Sequence, residues 1–148
     1  MSLSVLHDAF TFDDVLLVLG DNNPDLHTVS FCHCYDFSYD SAVRIIGRSE
    51  ITSVRLKCCE EMLEDHNIRK IFCQVHKTNL KQIYLFIRHQ SDADDLLQIV
   101  EHNVDLEELH ANFDLYEEYN DGGVIRRQAR DKCCTELLKL RPKLKVCF

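Results

Sequence analysis

The chain has 148 residues, of which 45% are hydrophobic, with four Gly, two Pro and a formal charge of −8 at pH 7. That length gives one domain with enough core to fold without a metal or disulfide scaffold, and the low Gly and Pro content argues against a long disordered tail. No internal repeat stands out, and no apolar run approaches the roughly 18 residues that span a bilayer. The N-terminal run carries Asp8, Asp13 and Asp14 and no basic residue, unlike a signal peptide, so an intracellular protein is expected.

In chain order, Phe10–Gly20 reads as a short helix ended by Gly20, with a strand as the alternative. His27–Phe37 and Ser41–Arg48 are strand-like and separated by a turn at Tyr39 and Asp40. Ser49–His66 places Ile51, Val54, Cys58 and Met62 at helical spacing, with Ser49 as a cap. Arg69–His76 and Lys81–His89 are β-prone runs joined by residues 77–80, which predicts an antiparallel hairpin. A helix is expected over Ser91–Asn103, capped by Ser91, and another short one from near Asp105. Val124–Leu140 reads as a closing helix before Pro142. These elements predict a single α+β domain, a small antiparallel sheet with helices packed on one face.

Eight cysteines raise the question of a metal site. Cys32, His33 and Cys34, the pairs Cys58–Cys59 and Cys133–Cys134, and Cys73 with His76 do not make two matched CxxC knuckles. Strand alternation would turn Cys32 and Cys34 to one face, which suits a sheet core, so reduced structural cysteines are expected rather than zinc or disulfides, and no cofactor.

Charge comes in blocks. Residues 1–43 hold seven acids and residues 92–121 hold eleven, both without Lys or Arg, whereas residues 126–145 hold eight basic side chains. Coating a nucleic acid requires several phosphate contacts on one face, and only the C-terminal block offers them. A double-stranded-RNA binder using Arg126, Arg127, Arg130, Lys139, Arg141, Lys143 and Lys145 is therefore the alternative reading. Catalytic motifs are absent: no GxGxxG, Walker loop, HExxH or GxSxG occurs, and no cysteine sits beside a glycine-rich elbow. A cysteine hydrolase assembled from distant residues is a third option. The composition points to a non-enzymatic interaction protein.

Two segments carry that expectation. Residues 108–123 set Phe113, Tyr116 and Tyr119 among carboxylates with no basic residue, and an exposed ring in an acidic surround suits a basic partner. The plainer alternative is an apolar stripe beneath a solvated acidic helix face. Residues 52–65 contain Ser53, Val54, Cys58 and Met62 at the spacing of the elongin-recruiting BC-box of cullin-ligase substrate receptors, which this stretch resembles, with Val54 where Leu is usual. Residues Ser2–His7 have a weaker likeness to viral forms of that motif.

With the "HANFDLYEEYNDGG" segment, the BC-box-like stretch and the "LKLRPKLKVCF" C-terminus, the chain resembles the silencing suppressors that open the nonstructural polyprotein of insect dicistroviruses. The resemblance implies a viral protein of the host cytoplasm that inhibits guide-loaded Argonaute and recruits an elongin–cullin ubiquitin ligase to degrade it. It assigns Phe113, Asp114, Leu115, Tyr116 and Tyr119 to an Argonaute-targeting loop, with Phe113 at its tip. Ser53, Val54, Cys58 and Met62 fall on the elongin helix. No nucleic-acid or membrane contact follows from it.

Overall fold

The computed structural model describes residues 2–6, 21–32, 38–48, 50–57, 67–74, 79–87, 90–113 and 122–147. Six strands are present among them, β1 (Ser2–Leu6), β2 (Thr28–Cys32), β3 (Ser53–Lys57), β4 (Gln82–Ile87), β5 (Glu108–Phe113) and β6 (Lys145–Cys147). They form one sheet whose spatial order equals their chain order, and every neighbouring pair is parallel. Four helices alternate with them: α1 (Tyr39–Ile46), α2 (Asn67–Gln74), α3 (Gln90–His102) and α4 (Gly122–Leu140). A parallel neighbour can be reached only by a crossover, and each helix supplies one.

The expected antiparallel α+β fold is thus overturned: the chain is an α/β array with an all-parallel sheet. Its physical basis is a repeat. Leu26-x-x-Val29-x-Phe31 recurs as Ile51-x-x-Val54-x-Leu56, Leu80-x-x-Ile83-x-Leu85 and Leu106-x-x-Leu109-x-Ala111, and all twelve side chains are buried. That spacing, with one strand and one helix per unit, is a repeat whose units stack side by side. A tight turn is closed just before a strand. Leu26, Ile51, Leu106 and Leu144 each donate their N–H, at 3.1 Å, to the carbonyl three residues earlier. The turns are then stitched together. Thr52 and Ser53 both donate to the His27 carbonyl, Lys81 and Gln82 to Thr52, and Glu107 and Glu108 to Lys81, at 2.8 to 3.1 Å.

Side chains reinforce the stitching just before each turn. Asn103, 1% exposed, donates Nδ2 to the carbonyls of Ile99 (2.7 Å) and Phe72 (3.2 Å), tying α3 to the end of α2. Arg141 spreads its guanidinium over three carbonyls around the turn into β5, those of Val100 (2.7 Å), Asn103 (2.7 Å) and Leu106 (3.3 Å). Arg69 reaches the buried Asp95 at 3.8 Å, linking α2 to α3.

Several local expectations fail for identifiable reasons. Ser41–Arg48, expected as a strand, lies mostly in α1, capped by the Ser38 side chain accepting from Ser41 N–H at 3.2 Å, with Ala42, Ile45 and Ile46 buried. The first arm of the expected hairpin is instead α2, because Ile68, Ile71 and Phe72 form a buried stripe at helical spacing, so no hairpin forms. Ser53 and Val54 are not on a helix: Ser53–Lys57 is β3, and Val54 is 0% exposed in the core. The short helix expected near Asp105 is a turn leading into β5, and Ser2–Leu6 is β1. Phe113, expected at a loop tip, is the last residue of β5, paired with Ile87. The expected helices over 91–103 and 124–140 are present as α3 and α4, and the strand-like run from His27 contains β2. Phe10–Gly20, Cys34, Cys58, Met62, Asp114, Leu115, Tyr116 and Tyr119 lie outside the described residues.

Cysteine placement splits by face. Cys133 on α4 is buried and Cys134 half-buried, while Cys32 is half-exposed on the opposite side of the sheet from the core, its Sγ 3.6 Å from Ser30 Oγ. Burial pushes the Cys133 thiol up to about 12, so it stays protonated and unreactive at neutral pH. Iodoacetamide applied to the native protein at neutral pH should therefore alkylate Cys134 and leave Cys133 unlabelled until guanidinium unfolds the chain. Equal labelling of both thiols would mean that α4 packs by a different face.

Candidate binding face

Strand alternation sorts the sheet into two sides. Val29, Phe31, Val54, Leu56, Ile83, Leu85, Leu109 and Ala111 face the helices and are buried. Their alternating partners Ser30, Arg55, Tyr84 and His110 face the other way and keep solvent contact. Parallel register sets these four in one row across β2 to β5, and Cys147 of β6 extends it.

The row is locked by ring contacts. The Arg55 guanidinium sits 4.6 Å from the Tyr84 ring centroid, and the Tyr84 and His110 rings stack at 4.2 Å with 14° between their planes. His110 Nε2 is 3.4 Å from Glu108 Oε2, Gln82 Nε2 donates to the same oxygen at 3.2 Å, and Lys145 Nζ lies 2.6 Å from Glu108 Oε1. The hydrogen bond from Lys145, and then that from His110, hold the Glu108 carboxyl below the usual carboxylate range, while Glu108 raises Lys145 in turn. The signs set the window. The Glu108 contribution is lost as pH falls through its lowered folded pKa, and the Lys145 contribution as pH rises through its raised one, so the clamp holds across neutral pH.

Next to this row lies a groove of about 360 Å³ lined by Arg55, Lys57, Tyr84, Phe86, His110, Asn112 and Cys147 together with the strand backbone. Among the described residues that line it there is no carboxylate side chain. Cys147 and His110 are register partners, but among the described residues no hydrogen bond joins thiol to imidazole, and the His110 ring is already held by Tyr84 and Glu108. Among the described residues, no group of three or more His, Cys, Asp or Glu is placed to hold a metal ion, and no helix is long and apolar enough to cross a membrane.

The residues singled out from sequence do not converge here. Ser53 lies on the open face one row away from Arg55, Val54 is in the core, and Phe113 follows the groove residue Asn112 at the end of β5. Three of the basic C-terminal set are already engaged. Arg141 is spent on backbone carbonyls, Lys145 on Glu108 and Arg130 on Asp131 at 3.2 Å. Arg55, Tyr84 and His110 were not anticipated. Each sits between the second and third apolar positions of its unit, so the repeat would have revealed them.

The fold and this face define a repeat-built α/β module with a side-chain-ordered sheet surface that no described element covers. Comparisons with family models, with curated proteins and with solved structures return no match. The likeness to dicistrovirus suppressors rests on the sequence motifs alone.

Proposed function

We propose that this chain is a non-enzymatic recognition module that binds a protein partner across its open sheet face. The observation that carries the reading is the Arg55–Tyr84–His110 row, ordered before any partner arrives and bordering a groove that no described element covers. Side chains already fixed in one arrangement lose little entropy on binding, and stacked solenoids use such continuous faces for contact.

A narrower reading takes the partner to be a guide-loaded insect Argonaute, as the resemblance implies, in the host cytoplasm. One position favours it. Phe113, the first ring of the acidic aromatic segment 108–123, follows directly after the groove residue Asn112. The elongin half is not kept, because its anchor Val54 would have to leave the core.

Both readings meet one experiment. A photo-crosslinking amino acid placed at Asn112 on the open face, or at Glu101 on the outside of α3, is expressed in insect cells and the adducts are identified by mass spectrometry. Adducts from Asn112 and none from Glu101 are expected, with Argonaute among them if the narrower reading holds. Equal adducts from both positions would reject the open face as the binding surface.

A further inference from the structure

We infer that this chain associates head to tail with a second copy of itself, β1 of the second copy adding beside β6 and its acidic first unit seating on the basic outer side of α4. This contact uses the two ends of the array and is separate from the open face.

The ends differ in charge. Because spatial order equals chain order, β1 and β6 are the outer strands, and neither has a second partner strand among the described residues. Residues 1–26 hold five aspartates and no Lys or Arg, whereas residues 122–148 hold eight basic side chains against Asp131 and Glu136. Lys132, Lys139 and Lys143 of that last unit are exposed and enter no ion pair or hydrogen bond among the described residues. α2 and α3 each pack between two helices, but α4 has only α3 as a described helical neighbour. Its Leu138 and Leu140 are 40% and 41% exposed, two of the three large apolar side chains that stand open among the described residues. Exposed aliphatic groups ringed by cations suit a protein surface carrying carboxylates.

Strand direction selects the copy. Every strand runs the same way, so a copy displaced along the array brings β1 to β6 in the parallel sense, as each inner strand meets its neighbour. Lys145 turns its N–H inward to the Glu107 carbonyl, and by alternation Val146 turns its N–H and carbonyl outward, toward the incoming strand. An unrelated acidic protein offers the charge alone. A nucleic acid would use the lysines and leave Leu138 and Leu140 in water.

The test is sedimentation velocity of the intact chain over a roughly hundredfold range of concentration. Oligomers that grow beyond the dimer are expected at low salt, since a head-to-tail contact leaves an end free, and they should dissociate as salt is raised. Lys139→Glu combined with Lys143→Glu, and separately Asp21→Lys combined with Asp25→Lys, should each weaken association by roughly tenfold or more, because attraction becomes repulsion. Mixing the two double variants should restore it, whereas Tyr84→Ala should associate like the parent. Circular dichroism checks that each variant is folded. A chain that stays monomeric throughout, or a closed dimer indifferent to both double variants, would overturn the proposal. So would association lost in Tyr84→Ala, which would place the contact on the open face. A short RNA duplex bound by the monomeric chain and released by the Lys139 and Lys143 changes would assign α4 to nucleic acid instead.

Discussion

Val54→Lys should abolish the cooperative thermal transition of this protein, whereas Ser53→Lys should melt close to the parent. Val54 is fully enclosed in β3, flanked in the ladder by Val29 and Ile83, with Leu56 next along the core side. An ammonium there has no described carboxylate within the apolar cluster to pair with, and stranding a charge costs several kcal/mol even after relaxation. Against a total stability of about 5–15 kcal/mol for a small domain, that is most of what holds the fold. Ser53, one residue earlier, is on the open face and half-exposed, so a lysine there reaches water. The pair of variants discriminates sharply. On a surface-helix reading of residues 52–65, Val54→Lys would leave the melt unchanged and remove only a partner, and that result in circular dichroism would refute the assignment of β3.

Arg141→Ala should cost about 2–4 kcal/mol, since three carbonyls lose a charged donor at once and hydrogen bonds to charged groups contribute roughly 1.5–3 kcal/mol each without adding fully. The loss should also be local. Arg141 bonds the junction between two units, at Val100 and Asn103 before it and at Leu106 after it, and in an array each unit is stabilised by its neighbours. Amide exchange should therefore accelerate around Val100–Leu106 and in β6 while β2 and β3 keep their protection. Arg141→Lys, with a single point of donation, should recover only part of the stability. Acceleration spread evenly over all strands would show that the chain unfolds as one unit, contrary to a neighbour-coupled array.

The reasons some of this was legible in the sequence and some was not lie in particular spacings. α3 and α4 are long enough for helical periodicity to show, and the His27 run alternates visibly, so those were readable. β3 was misread because the repeat itself places Ile51 and Val54 three apart, which mimics a helix face; only the following alternation, Val54 to Leu56, marks the strand. α2 was misread because its Ile and Phe have high strand propensity, and packing against the sheet overrode it. The repeat escaped notice since its apolar positions are filled by Leu, Ile, Val, Phe and Ala in turn, and units of unequal length hide the period. The groove could not be seen without the register, which aligns Arg55, Tyr84 and His110 from three separate segments.

The bottom turns have one more consequence. Because His27, Thr52 and Lys81 each hand their carbonyl to the next unit in the same way, a junction between units does not depend on where in the array it lies. A unit gained or lost by gene duplication or deletion would find matching connectors above and below it. The length of the open sheet face is then an inheritable dial, adjustable one strand at a time without a new core having to be invented.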